Sequence, residues 1–170
     1  MNKAYFPGYR LHMKLTIEQI KQLKELMIKS AKKGNLANSG LVVENSTTIA
    51  TAESWVVTNH DATSHSERML VEKVCRLKES NYTPGLIMVT VCEPCLMCMS
   101  ACAWAGYKTI AYIIPANKYI KKIPWMSENT KVDKQEIART FSEPIKLIRL
   151  SQYETEFSKI FETEMATLLK

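Results

Sequence analysis

Two short clusters hold the side chains best suited to chemistry: His65-Ser66-Glu67 and, further along, Pro94-Cys95-Leu96-Met97-Cys98. One imidazole and two thiolates make a mixed N/S ligand set for zinc. A hydrolytic zinc site needs three protein ligands, a fourth position for water and an acid/base beside it. Glu67 is the carboxylate placed for that last task. In the first turn of a helix His65 and Glu67 point in different directions, so one can ligate while the other reaches past the metal to its water. Cys95 and Cys98 are three apart at a helix start and share a face. The partial positive charge of a helix N-terminus favours thiolates there.

Each cluster also has a plainer reading. Ser64-His65-Ser66-Glu67 has the S-x-x-E form of a capping box, and two cysteines can be small buried apolar residues. A sharper rival is an iron–sulfur centre, because Cys92, Cys95, Cys98 and Cys102 have the spacing C-x2-C-x2-C-x3-C. Against it, Ala103 stands where that motif has proline, and Cys102 falls within a helical pattern. Under the zinc reading Cys92 closes a strand, Cys102 packs inside a helix and Cys75 is a core residue.

The elements that must carry these groups follow from periodicity and punctuation. Thr16-Ile17-Glu18-Gln19 resembles a capping box. It opens a helix with Ile17, Ile20, Leu23, Leu26 and Met27 on its inner face and Gly34 beyond its end. Leu41 to Val43 and Thr47 to Ala52 read as strands joined by a turn at Asn45-Ser46. A helix from about His65 to Lys78 turns Leu70, Val71, Val74 and Leu77 inward. Leu86 to Val91 reads as a strand covered on both faces. Pro94 suits the first turn of a helix running to about Trp104 and closed by Gly106. Thr109 to Ile114 is a second buried strand, and 115–135 is irregular. Ile145 to Leu150 suggests another strand, and Phe157, Ile160, Phe161, Met165 and Leu168 line a final helix. Alternating strands and helices predict one three-layer α/β domain over 1–170, with its core at about 14–115 and a C-terminal strand and helix at about 144–170.

With 170 residues, 46% of them apolar and 24% charged, the chain is sized for one soluble domain that needs no disulfides. Five cysteines, an odd number, favour metal or thiol chemistry over a disulfide framework. No apolar run approaches the ~18 residues of a membrane span, and Met1 to Arg10 has no apolar signal core, so the expected location is cytoplasmic. The net charge of +6 and pI of about 9.0 permit an anionic partner. The lysines are scattered, with small clusters at Lys32-Lys33 and Lys121-Lys122, so a solvated surface is the better default.

His65-Ser66-Glu67 with Cys92-Glu93-Pro94-Cys95-Leu96-Met97-Cys98 resembles the cytidine/deoxycytidylate deaminase-like superfamily, whose signature is H-x-E…P-C-x-x-C. The form C-E-P-C-x-M-C is most similar to the branch of guanine, tRNA adenosine and cytosine deaminases. The resemblance runs from about Gly40 to Ile114, and the tail is more similar to guanine deaminases. It implies the α/β/α cytidine deaminase-like fold, a central mixed sheet flanked by helices. It also implies one zinc per chain on His65, Cys95 and Cys98, Glu67 as the catalytic proton carrier, and a homodimer. The implied reaction is attack of hydroxide on an amino-bearing ring carbon with loss of ammonia.

Departures from the family pattern fall around the pocket. Ser66 replaces the usual alanine and Ala62 a proline, Ser54 stands where a substrate-contacting Asn is common, and Ser39 replaces an aromatic before Gly40. A serine hydroxyl reaches less far than an amide and offers fewer bonds to a base edge. Asn59 and Asn45 are candidates to compensate. Trp104 matches an aromatic near the pocket, able to stack on a base or to fill a core. Trp125, Glu128 and Asp133 match pocket-closing or proton-relaying groups. The expected substrate is a nucleobase-like small molecule, guanine first. Cytosine or nucleoside deamination and tRNA adenosine editing are alternatives, the last helped by the basic charge. An inactive, zinc-retaining binding module is the other non-enzyme reading.

Overall fold

Thr16 and Gln19 open the first helix as their spacing suggests. The Gln19 N–H donates to Thr16 Oγ1 (3.1 Å) and the Thr16 N–H to Gln19 Oε1 (3.0 Å), closing a capping box before α1 (Ile17–Lys32). Gly34, at φ +79°, takes the left-handed conformation just past the helix end. A computed structural model describes residues 13–123 and 131–169. After α1 come β1 (Ser39–Glu44), β2 (Thr47–Glu53), α2 (Ser66–Leu77), β3 (Ile87–Cys92), α3 (Leu96–Trp104) and β4 (Thr109–Ile114). Then follow α4 (Lys134–Thr140), β5 (Lys146–Arg149) and α5 (Glu154–Glu164).

The strands form one mixed sheet in the order β2-β1-β3-β4-β5. β1 is antiparallel to both β2 and β3, while β3, β4 and β5 run parallel. Asn45 and Ser46 join β1 to β2 with φ of 48° and 69°, the doubly positive pair that suits the twist of a two-residue hairpin. Successive side chains of a strand face opposite ways, and both faces here are covered. Leu41, Val89 and Ala111 pack with Leu23 and Met27 of α1 and Phe157 and Phe161 of α5. Val42, Met88 and Ile110 pack with Leu70 and Val74 of α2, Met99 of α3 and Ala138 of α4. The expected α/β/α layering is therefore present.

Close approach explains one glycine. A Cβ on Gly40 would stand 2.9 Å from Leu70 Cδ1 and 2.9 Å from the Val89 carbonyl oxygen. A bare backbone here lets α2 settle against β1, which sets the depth of its N-terminal turn.

Three sequence readings are corrected. Ile17 is 88% exposed, because at about 100° per residue it lies well off the line through Leu23 and Met27. Leu77 is 60% exposed, in the last turn of α2. A helix the sequence reading did not assign, α4, begins at the end of the stretch read as irregular and runs beyond it, and its N-cap Asp133 accepts from the Gln135 and Glu136 N–H groups. No helix among the described residues is long and apolar enough to cross a membrane.

Candidate metal centre

Two strand-to-helix junctions meet at one edge of the sheet. His65 is the N-cap of α2 and Cys95 the N-cap of α3, each with extended backbone and neither side chain capping its own helix. Both side chains are thereby turned away from helical work. Pro94 stands before the N-cap rather than in the first turn as the sequence suggested, so it helps end the strand rather than start the helix. The intervening turn is tied to β4: the Glu93 N–H donates to the Ile114 carbonyl (2.8 Å) and the Ala116 N–H to Glu93 Oε2 (2.8 Å). Cys98, fully buried, follows Cys95 by one helical turn.

The resulting triangle is nearly equilateral. Cys95 Sγ and Cys98 Sγ each lie 3.6 Å from His65 Nδ1 and 3.5 Å from one another. Bond lengths of about 2.3 Å for Zn–S and 2.0 Å for Zn–N at tetrahedral angles put ligand atoms about 3.5–3.8 Å apart. The donor set and its spacing both fit zinc. Among the described residues these three form the group able to hold a metal ion. The Cys98 hydrogen bond lowers the Cys95 thiol to about 4, against burial and with help from His65. Its bond to Cys95 and burial push the Cys98 thiol up.

Glu67 lies in the first turn of α2, 2% exposed. The capping-box reading of Ser64 and Glu67 does not hold: Ser64 Oγ donates to Asp61 Oδ2 (2.8 Å), and Glu67 turns into the sheet. There its Oε1 accepts from Thr90 Oγ1 (3.1 Å), its Oε2 from Ser66 Oγ (3.0 Å), and both from Asn38 Nδ2 (3.4 Å each). Asn38 and Thr90 were not singled out from the sequence. The one available signal was a polar threonine inside the apolar run Leu86 to Val91.

The other candidates separate. Cys92 is buried in the core cluster of α1 and α5 and Cys102 in that of α2 and α3, so the four-cysteine centre is not assembled. Burial pushes both thiols well above their ordinary range. Ser54 is buried beside Asn38, its N–H donating to the Asn38 carbonyl (3.1 Å). Ser39 faces the opposite layer, with Oγ on the Leu23 carbonyl of α1 (2.7 Å), so its replacement of an aromatic does not reshape the site. Asn45 is at the hairpin turn, about 20 Å along β1 from Asn38. Asn59 Nδ2 is engaged with Ser64 Oγ at 3.1 Å. Trp104 ends α3 about 13 Å along the axis from Cys95 and is 84% exposed, so it neither fills the core nor reaches the sulfurs. Asp133 caps α4, and Trp125 and Glu128 fall outside the described residues.

His65 also borders a cavity of about 820 Å3 between the end of α1, the 56–62 loop and the end of α5. Its described lining includes Asp61 and Glu164 and no lysine or arginine. Asp61 is held down to about 2 by the Thr63 N–H and the Ser64 and Thr63 hydroxyls.

Comparison with known proteins gives the same picture. A model of the cytidine and deoxycytidylate deaminase zinc-binding region matches residues 14–114. The chain is 33% identical over 72 residues to the guanine deaminase of Bacillus subtilis (strain 168), covering 42% of this chain and 46% of that one. It is 27% identical over 101 residues to the tRNA-specific adenosine deaminase of Aquifex aeolicus (strain VF5), covering 59% and 58%. The chain thus spans about half the length of the curated relatives it matches. A solved guanine deaminase from Nitrosomonas europaea shares the fold with a TM-score of 0.77 over 98% of each chain, at 15% identity. A structure of the Bacillus subtilis guanine deaminase gives a TM-score of 0.58 at 21% identity, over 84% of this chain and 90% of that one.

Proposed function

We propose, on the premise that this chain belongs to the cytidine and deoxycytidylate deaminase family, that it is a zinc-dependent hydrolytic deaminase of a nucleobase or related amino-heterocycle, guanine deaminase-like in preference. One observation carries the reading: a His65–Cys95–Cys98 triangle of zinc dimensions stands beside a buried carboxylate on the same helical turn as the imidazole. Three ligands leave a fourth position for water, which a closed structural site would not need. Zinc held there, one per chain, supplies Lewis acidity and makes hydroxide available near neutral pH.

The remaining work falls to the chain's own residues. Glu67 takes a proton from the attacking water and delivers it to the ring nitrogen. It then takes the second proton from the hydroxyl so formed on the ring carbon and delivers it to the departing amine, so that the C–N bond breaks and ammonia leaves as a neutral molecule. Ser54, buried beside Asn38, is the proposed contact to the base edge. The absence of cations and the presence of Asp61 and Glu164 among the described residues lining the neighbouring cavity favour a neutral base over a polyanionic tRNA. Assembly as a homodimer, in the cytoplasm, belongs to the same reading.

An ammonia-release screen tests it, using zinc-loaded protein with guanine, adenine, cytosine, their nucleosides, amino-triazines and a tRNA anticodon stem-loop. Release from guanine is expected. Release only from the RNA, with steep loss in salt, would move the substrate to tRNA; no release from any compound would overturn the deaminase reading.

A further inference from the structure

The Asn38 amide joins the two segments that carry the candidate site. The Cys92 N–H donates to Asn38 Oδ1 (2.9 Å), holding the end of β3 just ahead of Cys95. On its other side Asn38 Nδ2 donates to Ser66 Oγ (3.1 Å) and faces both Glu67 oxygens at 3.4 Å. Its own carbonyl accepts from the Ser54 N–H (3.1 Å). The sense of the amide is dictated by its neighbours: a backbone N–H can only donate and a carboxylate only accept. Asn38, Ser66, Glu67 and Thr90 are each at most 5% exposed, so water does not compete for these bonds.

We infer that Asn38 is a positioning residue for the proposed reaction: with Ser66 and Thr90 it fixes the Glu67 carboxylate against the metal-bearing turn of β3 and α3. This rests on the deaminase reading. A carboxylate that must pass protons between three atoms works only from a defined place, and a displacement of about 1 Å costs on the order of 100-fold in rate. Asparagine suits the position because its two ends differ. Aspartate would keep the acceptor for the Cys92 N–H and replace the donor to Glu67 with a second buried carboxylate that repels it; alanine would lose both.

That difference separates positioning from support. The experiment compares zinc-loaded wild type, Asn38→Asp and Asn38→Ala in kcat, KM, zinc content and thermal midpoint, with the best substrate of the ammonia screen. The inference expects Asn38→Asp to lose about 100-fold in kcat with KM within about threefold. It also expects this variant to keep its zinc. A purely structural residue would instead make the activity of both variants follow the order of their thermal midpoints. Wild-type kcat in Asn38→Asp, or activity that tracks the midpoint, would overturn the assignment while leaving the deaminase reading intact. An inactive wild type would overturn that reading and this assignment with it. Should Asn38→Asp fail to fold, Ser66→Ala decides: it removes one Glu67 donor, should lower kcat without loss of zinc, and at full kcat would refute the network's role.

Discussion

Thr90 Oγ1 of β3 lies 3.1 Å from Glu67 Oε1 of α2, so a carboxylate on one helix is pinned to the sheet that delivers the two sulfurs. The bond is fully buried, and it fixes the acid relative to the imidazole, which stands at the start of the same helix. Layer packing and site geometry are therefore one problem: whatever moves α2 on β1 moves Glu67 on the triangle.

Glu67→Gln keeps the shape of the side chain and removes its proton-carrying capacity. Ammonia release is expected to fall by about 100- to 10,000-fold. Zinc content by atomic absorption and far-UV circular dichroism should stay at wild-type values.

His65→Ala and Cys95→Ser are expected to lose bound zinc and melt at lower temperature together, since ligation is linked to folding. Cys92→Ala and Cys102→Ala should keep stoichiometric zinc. Their thiols lie in separate core clusters, and the cost of each variant should be packing alone. Metal analysis alongside thermal denaturation distinguishes the two pairs.

Glu53 predicts a stability profile in acid. Burial alone would raise its pKa, but Lys29 at 2.9 Å and Lys33 at 3.3 Å outweigh it and hold the carboxyl below its ordinary value. A depressed folded value means the stabilisation is present above the unfolded value of about 4.3 and is lost as pH falls through the lower folded one. Glu53→Gln should be less stable than wild type at neutral pH, with the gap closing below about pH 4. Thermal midpoints measured across that range check it.

Gly40→Ala places a methyl group 2.9 Å from both Leu70 Cδ1 and the Val89 carbonyl oxygen. Leu70 can yield but the strand carbonyl cannot, so overpacking should cost about 1–3 kcal/mol. Urea denaturation would measure it. Because α2 is the element displaced, activity should fall further than stability alone accounts for.

The residues that could bind a metal were legible because they are chemically rare and lie at punctuated junctions: a histidine before a helical pattern, and cysteines after a buried strand and a proline. Layering was legible from the runs Leu86–Val91 and Thr109–Ile114, and the hairpin from Asn45-Ser46. Asn38 was not, since its value depends on three partners 28 to 54 positions away. Ser39 misled for a related reason: one step along β1 from Asn38, its side chain belongs to the other layer. Trp104 matched a sequence position whose exposure only the packed helix reveals. The short helix α4 escaped because its apolar face is brief, although Asp133 and Glu136 gave a cap signal.

X-ray absorption at the zinc edge of the loaded protein tests the central claim most directly. Two sulfurs at about 2.3 Å and two nitrogen or oxygen neighbours at about 2.0–2.1 Å are expected, one of the latter from His65 and one from solvent. Four sulfurs, or a coordination closed entirely by protein groups, would contradict the account.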